Sequence, residues 1–405
     1  MSKHTSNPTQ SILLRGILNS CGNLSVEAEL VLADGSWGRA AVPIAIKPGR
    51  REKPRSRQLA PGRFVSASEI SQLTSVLREE GGEAQEDFDR VLSQHPLCQD
   101  LGSDITLALS LAFARASATA RDLSLTRYLA SSGPFQPRVP HPLINLFSGG
   151  IHGQERTVPF QQIMLVPRYA TFYEDIAVAL QIYQELEQSM RASGRLLGYS
   201  ASSGMLVKTS HYQVLLAEVA EHIARLPGSA SIGIGLDVAA EHLKRDQDHY
   251  QFAETLVSST DLLALYQQLL STLPLTYLED PFDADDSASW RALKSNVGDA
   301  LCLVGDDLFA TNACYLDQQL AHGILLKMNQ SGTLSGTLAA TRAARLRGMT
   351  CCVSHRSCET EDTAMCDLAV AIGADYIKIG GPRRGDRIVH YNQLLRLAEE
   401  WQHTE

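Results

Sequence analysis

The chain has 405 residues, enough to bury a large core and typical of two domains. Its hydrophobic content is 44% and its formal net charge is −9, which gives no sign of a nucleic-acid-binding protein. No apolar run is long enough to span a membrane, and the polar N-terminus lacks the hydrophobic region of a signal peptide, so we expect no membrane partner and a cytoplasmic location.

The N-terminal third predicts a small α+β domain. Residues 1–11 are polar and are expected to form a disordered tail, and residues 12–45 alternate apolar and polar residues, which predicts strands joined by turns. Residues 68–133 have the periodicity of helices. A proline-rich stretch at 134–142 then marks a boundary, so we assign this domain to residues 12–135.

Residues 136–405 show a different pattern, in which short apolar strands are each followed by a helical segment. This repeat predicts a parallel β/α barrel, preceded along the chain by the smaller α+β domain. In such barrels, polar residues at the carboxyl ends of the strands project into the active site. Six strands carry an ionisable residue at this end: Asp237, Glu279, Asp306, Lys327, His355 and Lys378.

Three of these residues, Asp237, Glu279 and Asp306, are carboxylates on neighbouring strands. Three converging anions repel one another unless a cation joins them, and all-oxygen ligation suits Mg²⁺. The alternative is that the carboxylates pair with Lys327 and Lys378. A lysine beside a dication in a dry pocket loses affinity for its proton, so Lys327 is a candidate general base.

The eight cysteines show no spacing typical of a metal site. Free thiols in a reducing compartment are therefore expected.

Several long motifs then resemble the enolase family, whose activity is that of a phosphopyruvate hydratase. The matching stretches include "YLEDPFDADD", "VGDDLFATN", "LLKMNQSGTL", "VSHRSCETEDT" and "IKIGGPRRGDR", and the matches run in the family's order from residue 17 to residue 400. The resemblance implies an enolase-type barrel with its N-terminal cap. It also implies that Asp237, Glu279 and Asp306 bind Mg²⁺ and that Lys327 removes the proton at C2 of 2-phosphoglycerate.

Further roles are implied by the same resemblance. Arg356 and Ser357 match the residues that bind the substrate phosphate, and Lys378 matches the residue that holds the substrate carboxylate. His355 lies near the leaving hydroxyl in the family. His152 matches the histidine of a mobile loop, although a structural histidine is the alternative there because the loop sequence differs.

The sequence departs from the family where hydroxide leaves C3 of the substrate. Ser203 and Gln162 stand at positions where the family has catalytic glutamates, and residues 198–210 contain no carboxylate. A neutral amide can donate a hydrogen bond but cannot transfer a proton. Lys47 stands near the serine that binds the second magnesium ion, where it supplies positive charge to the site or simply faces solvent.

Two functions are compatible with these residues. The first is a Mg²⁺-dependent lyase that dehydrates 2-phosphoglycerate, as in glycolysis, or acts on a phosphorylated or phosphonate analogue. The second is a catalytically impaired paralogue with a binding or assembly role. We favour the enzyme because an idle site would not need Lys327, Lys378, His355, Arg356 and all three carboxylates together. The resemblance also implies a homodimer, with Glu27 paired to Arg396 of a second copy.

Overall fold

The computed structural model describes residues 8–150, 158–209 and 211–401. The strands are β1 (Thr9–Leu18), β2 (Leu24–Leu32), β3 (Trp37–Ala41), β4 (His141–Ser148), β5 (Gln162–Pro167), β6 (Leu196–Tyr199), β7 (Met205–Val207), β8 (Ile232–Asp237), β9 (His249–Phe252), β10 (Thr255–Ser258), β11 (Leu275–Glu279), β12 (Cys302–Gly305), β13 (Gly323–Leu326), β14 (Thr350–Ser354) and β15 (Tyr376–Gly380). The α-helices are α1 (Ala67–Glu80), α2 (Gln85–Gln94), α3 (Pro96–Gln99), α4 (Ser103–Ala120), α5 (Leu125–Ala130), α6 (Phe172–Ala192), α7 (Tyr212–Ala224), α8 (Ser259–Thr272), α9 (Ser287–Val297), α10 (Met328–Ser331), α11 (Leu334–Leu346), α12 (Ala364–Ala371) and α13 (Gly385–Trp401).

The chain forms two compact units. The first contains the described residues up to Arg138 together with Lys327–Arg342 and Arg356–Gly373. The second contains Val139–Leu326, Ala343–His355 and the described residues from Ala374 onward. The first unit thus takes in two later segments, and the domain ranges 12–135 and 136–405 stay a prediction.

The first unit contains the predicted strands and helices. Strands β1, β2 and β3 form an antiparallel sheet, and α4, which is buried on almost all sides, packs against β2 and β3. Gly38 permits this close packing, because a Cβ atom there would collide with the carbonyl oxygen of Ala112 in α4. Strand β1 already begins at Thr9, so residues 9–11 belong to the sheet and not to a disordered tail.

The second unit contains a closed barrel of eight strands in the order β4-β5-β8-β11-β12-β13-β14-β15, with β15 paired back to β4. The barrel is confirmed, but one strand corrects the expectation of a fully parallel sheet. Strand β5 is antiparallel to both β4 and β8. The reason is that α6 follows β5 and not β4, whereas parallel neighbours normally need a helical crossover between them.

Several helices begin at residues that satisfy their free backbone N–H groups. Thr171 and Glu174 form a capping box at the start of α6, and Ser258 and Asp261 form another at the start of α8. Across the described parts of the chain, every helix is too short or too polar to cross a bilayer.

A disulfide in the first unit joins Cys21, between β1 and β2, to Cys358. Its surroundings are also tied by backbone hydrogen bonds, because Ser20 N donates to Glu359 O at 2.8 Å, and Ile44 and Cys358 bond each other at 3.0 Å in both directions. The expectation of free thiols is therefore wrong for these two cysteines. They are 337 positions apart, and only the fold brings them together.

Titration of the denatured, unreduced protein is expected to find six thiols per chain, and eight after reduction with a dithiol. Cys21→Ser should give seven without reduction, because it releases Cys358. Cys314→Ser removes an exposed free thiol and should give five. Reduction should also lower the free energy of unfolding by about 2–4 kcal/mol, measured by denaturant titration. Eight thiols before reduction would show that the bond is absent in solution.

Candidate active site

The interior of the barrel is arranged in layers that follow from strand periodicity. One layer is apolar or aromatic and consists of Leu143, Met164, Val166, Tyr277, Val304, Leu325, Cys352 and Tyr376. Side chains alternate along a strand, so a residue two positions further toward the carboxyl end of the barrel faces the same way. The residues at that spacing include seven polar ones: Asn145, Gln162, Glu279, Asp306, Lys327, Ser354 and Lys378. The residue at that spacing from Val166 is Met164 of the apolar layer itself. Gln162 precedes Met164 because β5 runs in the opposite direction.

Lys378 joins two of the predicted metal ligands. Its Nζ atom lies 2.7 Å from Asp237 Oδ2 and 2.8 Å from Glu279 Oε1, and all three side chains are buried. Burial by itself would lower the pKa of the Lys378 ammonium, but the charges and hydrogen bonds of Asp237 and Glu279 outweigh it and raise the pKa. Lys378 is therefore a protonated lysine held at the carboxyl ends of the strands.

A second group of carboxylates lies around Asp306. Ligand oxygens of Asp280, Asp306 and Asp307 lie within 4.8 Å of one another. Asp280 accepts hydrogen bonds from the backbone N–H groups of Asp306 at 2.9 Å and Asp307 at 2.8 Å, so it orients the turn after β12. Its burial, together with the charges of Asp307 and Asp306, raises the pKa of Asp280 well above its usual range.

The donor set of these residues fits a hard divalent cation. The cluster consists of carboxylate oxygens that follow the neighbouring strands β11 and β12, and carboxylates are the ligands that Mg²⁺ prefers. The other two predicted ligands, Asp237 and Glu279, are instead paired with Lys378. The predicted set and the observed cluster share Asp306. Sequence reasoning missed Asp280 and Asp307, although each stands directly beside a predicted ligand in "LEDP" and "GDD".

His355 follows β14 and is held by an arginine that sequence reasoning did not identify. Its Nδ1 atom lies 2.6 Å from Nη1 of Arg387 in α13, and both side chains are buried. An arginine can only donate hydrogen bonds, so Nδ1 must accept this one. The neutral imidazole therefore carries its proton on Nε2 and presents a hydrogen-bond donor there.

Gln162 and Ser203 are both buried, and neither supplies an acid. Gln162 pairs in register with Asp237, and its Oε1 atom has no hydrogen-bond partner among the described residues. Ser203 Oγ donates to Arg383 O at 2.9 Å, and the residue has a φ of +63°. The Ser203 hydroxyl is thus directed at the protein backbone.

Glu187 in α6 belongs to the same polar region but is poorly suited to replace the missing acid. Burial would raise the pKa of Glu187, yet hydrogen bonds from Tyr199, Arg191 and Arg383 outweigh it and lower the pKa. The distances from Glu187 Oε1 are 2.5 Å to Tyr199 Oη and 2.7 Å each to Nη2 of Arg191 and of Arg383. A carboxylate stabilised in this way stays ionised and does not donate a proton.

In the first unit, Arg356 is bound by a glutamate that sequence reasoning also missed. Nη2 of Arg356 lies 2.9 Å from both Oε1 and Oε2 of Glu52. Oε1 of Glu52 also accepts from Gly49 N at 3.1 Å and from Gln330 Nε2 at 3.3 Å. Residues 47–57, "KPGRREKPRSR", are rich in lysine and arginine, and these hydrogen bonds attach this basic stretch to the segment after Lys327 and to the segment that contains Arg356. The sequence signal that could have identified Glu52 is its position as an acidic residue within this basic stretch.

The remaining predicted residues have different surroundings. Lys327 has an extended backbone (φ −123°, ψ 109°), which keeps it on the same strand face as Leu325, and its side chain is half-buried. Ser357 is half-buried as well, whereas Lys47 is exposed. His152 lies outside the described residues.

Comparison with known proteins agrees with the fold and with these motifs. The family model for the enolase N-terminal domain matches residues 9–129, and the model for the enolase C-terminal TIM barrel domain matches residues 136–404. The chain is similar to the enolase of Tropheryma whipplei (strain Twist), with 37% identity over 96% of this chain and 94% of that protein. It is also similar to the enolase of Mycobacteroides abscessus, with 36% identity over 95% of this chain and 93% of that protein.

Proposed function

The chain belongs to the enolase family, and from that premise we propose that it is a Mg²⁺-dependent lyase. It would remove the proton α to the carboxylate of 2-phosphoglycerate, as in glycolysis, or of a close phosphorylated or phosphonate analogue. The observation that carries the proposal is the buried ammonium of Lys378 held between Asp237 and Glu279. Such a cation can bind a substrate carboxylate beside the proposed metal ligands.

Asp237, Glu279 and Asp306 are the proposed Mg²⁺ ligands, and Asp280 orients the backbone at Asp306. Bound Mg²⁺ would supply positive charge that stabilises the negative charge developing on the substrate carboxylate. The structural support is the all-carboxylate donor set and the crowding of Asp280, Asp306 and Asp307.

The other roles follow the family resemblance. Lys327 takes the proton from C2 as general base, Arg356 and Ser357 bind the phosphate, and Lys378 holds the carboxylate. Dehydration is complete when hydroxide leaves C3 and gains a proton, so that water departs. His355 can donate a hydrogen bond from Nε2 toward that hydroxyl, since Arg387 occupies its Nδ1 atom.

A second candidate function is a catalytically impaired paralogue that keeps the fold for binding or assembly. The buried, neutral side chains of Gln162 and Ser203 favour it, because neither can protonate a leaving hydroxide. Glu187 also favours this candidate, because the three hydrogen bonds that it accepts keep it ionised and unable to donate a proton.

The test of the proposed function is incubation of the purified protein with 2-phosphoglycerate and Mg²⁺. Phosphoenolpyruvate is followed by its ultraviolet absorbance, and loss of the C2 proton into D₂O is followed by NMR. Either reaction, dependent on Mg²⁺, supports the lyase. Absence of both, in a protein that still binds Mg²⁺, favours the non-catalytic candidate or a different substrate.

We expect a homodimer at micromolar concentration in a sedimentation velocity experiment. Glu27 is already paired with Arg15 of its own chain at 3.0 Å and lies 3.7 Å from Arg39, while Arg396 is exposed on α13. A surface ion pair contributes about 0–1 kcal/mol, and a two-fold dimer contains this pair twice, so Arg396→Ala should weaken dimerisation by no more than about 30-fold. A chain that sediments only as a monomer would contradict the prediction.

A further inference from the structure

Tyr277 makes a hydrogen bond that bears directly on Glu279. The two residues are two positions apart on β11 and therefore face the barrel interior together. The Tyr277 phenol donates to Glu279 Oε2 at 2.9 Å, while Glu279 Oε1 lies 2.8 Å from the Lys378 ammonium. Tyr277 has no exposed surface. The two oxygens of Glu279 are thus distinguished, since one faces a neutral donor and the other a cation.

We propose that Tyr277 is a positioning residue. By holding Oε2 of Glu279, it leaves Oε1, beside Lys378, as the single oxygen of this carboxylate that is available to Mg²⁺. The inference rests on the proposed metal site. A carboxylate with one oxygen held by a phenol cannot turn to use both oxygens on one ion without breaking that hydrogen bond. Residues that orient a metal ligand in this way normally change metal affinity by about 10–100-fold when they are removed.

The neighbouring side chains keep the phenol in place. The ring of Tyr277 packs edge-to-face on Tyr376, with centroids 5.8 Å apart, within the buried layer of the barrel. Removing the hydroxyl alone therefore leaves the ring packed, and the substitution Tyr277→Phe isolates the hydrogen bond. Tyr376→Phe is the matched control, because it removes a phenol hydroxyl from the same layer and leaves the Tyr277 hydrogen bond intact.

A comparison of Mg²⁺ with Ca²⁺ distinguishes a role of Tyr277 in positioning Glu279 from a role in packing the barrel. Mg²⁺ requires near-ideal octahedral geometry, whereas Ca²⁺ accepts carboxylates that bind through one or both oxygens. Freeing Oε2 of Glu279 should therefore weaken Mg²⁺ binding more than Ca²⁺ binding. A general loosening of the barrel would weaken both ions alike.

The experiment is calorimetric titration of the full-length protein with Mg²⁺ and, separately, with Ca²⁺. For Tyr277→Phe we expect the Kd for Mg²⁺ to rise by about 10–100-fold and the ratio of the Mg²⁺ Kd to the Ca²⁺ Kd to rise with it, while Tyr376→Phe matches the wild type. Thermal melting in a chelator checks that both variants fold.

Each other outcome overturns the inference in a distinguishable way. If the wild type binds Mg²⁺ and Tyr277→Phe binds it equally well, Tyr277 does not position Glu279, and the proposed metal site stands. If both ions weaken by the same factor, Tyr277 only packs the barrel. If the wild type binds neither ion, the proposed metal site fails and the inference fails with it.

Discussion

Replacing Lys327 with alanine is expected to slow the exchange of the C2 proton of 2-phosphoglycerate by about 10²–10⁴-fold, the usual contribution of a general base. Lys327 follows β13 with an extended backbone that keeps it on the face of Leu325, and its side chain is half-buried. The measurement is deuterium incorporation at C2 in D₂O with Mg²⁺, followed by NMR. Lys208→Ala, which removes an exposed lysine from the surface, should exchange like the wild type.

The same assay should separate proton removal from elimination. Because Gln162 and Ser203 supply no acid, the wild type is expected to exchange the C2 proton faster than it forms phosphoenolpyruvate. Gln162→Glu places a carboxyl group beside Asp237 in the register of β5 and β8 and should raise the rate of elimination. Ser203→Glu should instead disrupt folding, since Ser203 is fully buried with a φ of +63°.

One result would contradict the role of Lys327 as the base, and another would contradict the absence of an acid in the site. Exchange that persists unchanged in Lys327→Ala would mean that another group takes the proton. If the wild type forms phosphoenolpyruvate as fast as it exchanges the C2 proton, an acid is present. His355, which carries a proton on Nε2, would then be the first residue to replace.

Replacing Asp306 with asparagine is expected to abolish the stabilisation of the protein by Mg²⁺. An ion that binds only the folded state raises the free energy of unfolding by about 2.7 kcal/mol at 100 times its Kd. Asp306 belongs both to the predicted ligand set and to the observed cluster with Asp280 and Asp307. Loss of its charge should therefore raise the Kd for Mg²⁺ by more than the increase of about 10–100-fold that typically follows the loss of an orienting residue.

The measurement is thermal melting of the wild type and the variant across a Mg²⁺ titration. Asp317→Asn is the matched control, because Asp317 is an exposed carboxylate paired with Arg347 at the surface. It should respond to Mg²⁺ like the wild type. If Asp306→Asn also responds like the wild type, the carboxylates at the ends of β8, β11 and β12 are not a metal site.

Strand periodicity explains why much of the barrel site could be predicted from sequence. Glu279 and Lys378 stand at the polar end of short apolar runs, and parallel strands bring their carboxyl ends to one edge. The antiparallel direction of β5 was not predicted, because it depends on whether a helix follows β4 or β5. The same local signals predicted the helices between residues 68 and 133.

The sequence by itself therefore determined the two fold types, the positions of the ionisable residues on the strands and the absence of acids at Gln162 and Ser203. Each of these depends on local periodicity or on residue identity. The tertiary structure alone decided the partners: Lys378 with Asp237 and Glu279, Arg387 with His355, Glu52 with Arg356, and Cys21 with Cys358. A hydrogen bond or a disulfide requires atoms within a few ångströms, and residues up to 337 positions apart come that close only when the chain folds.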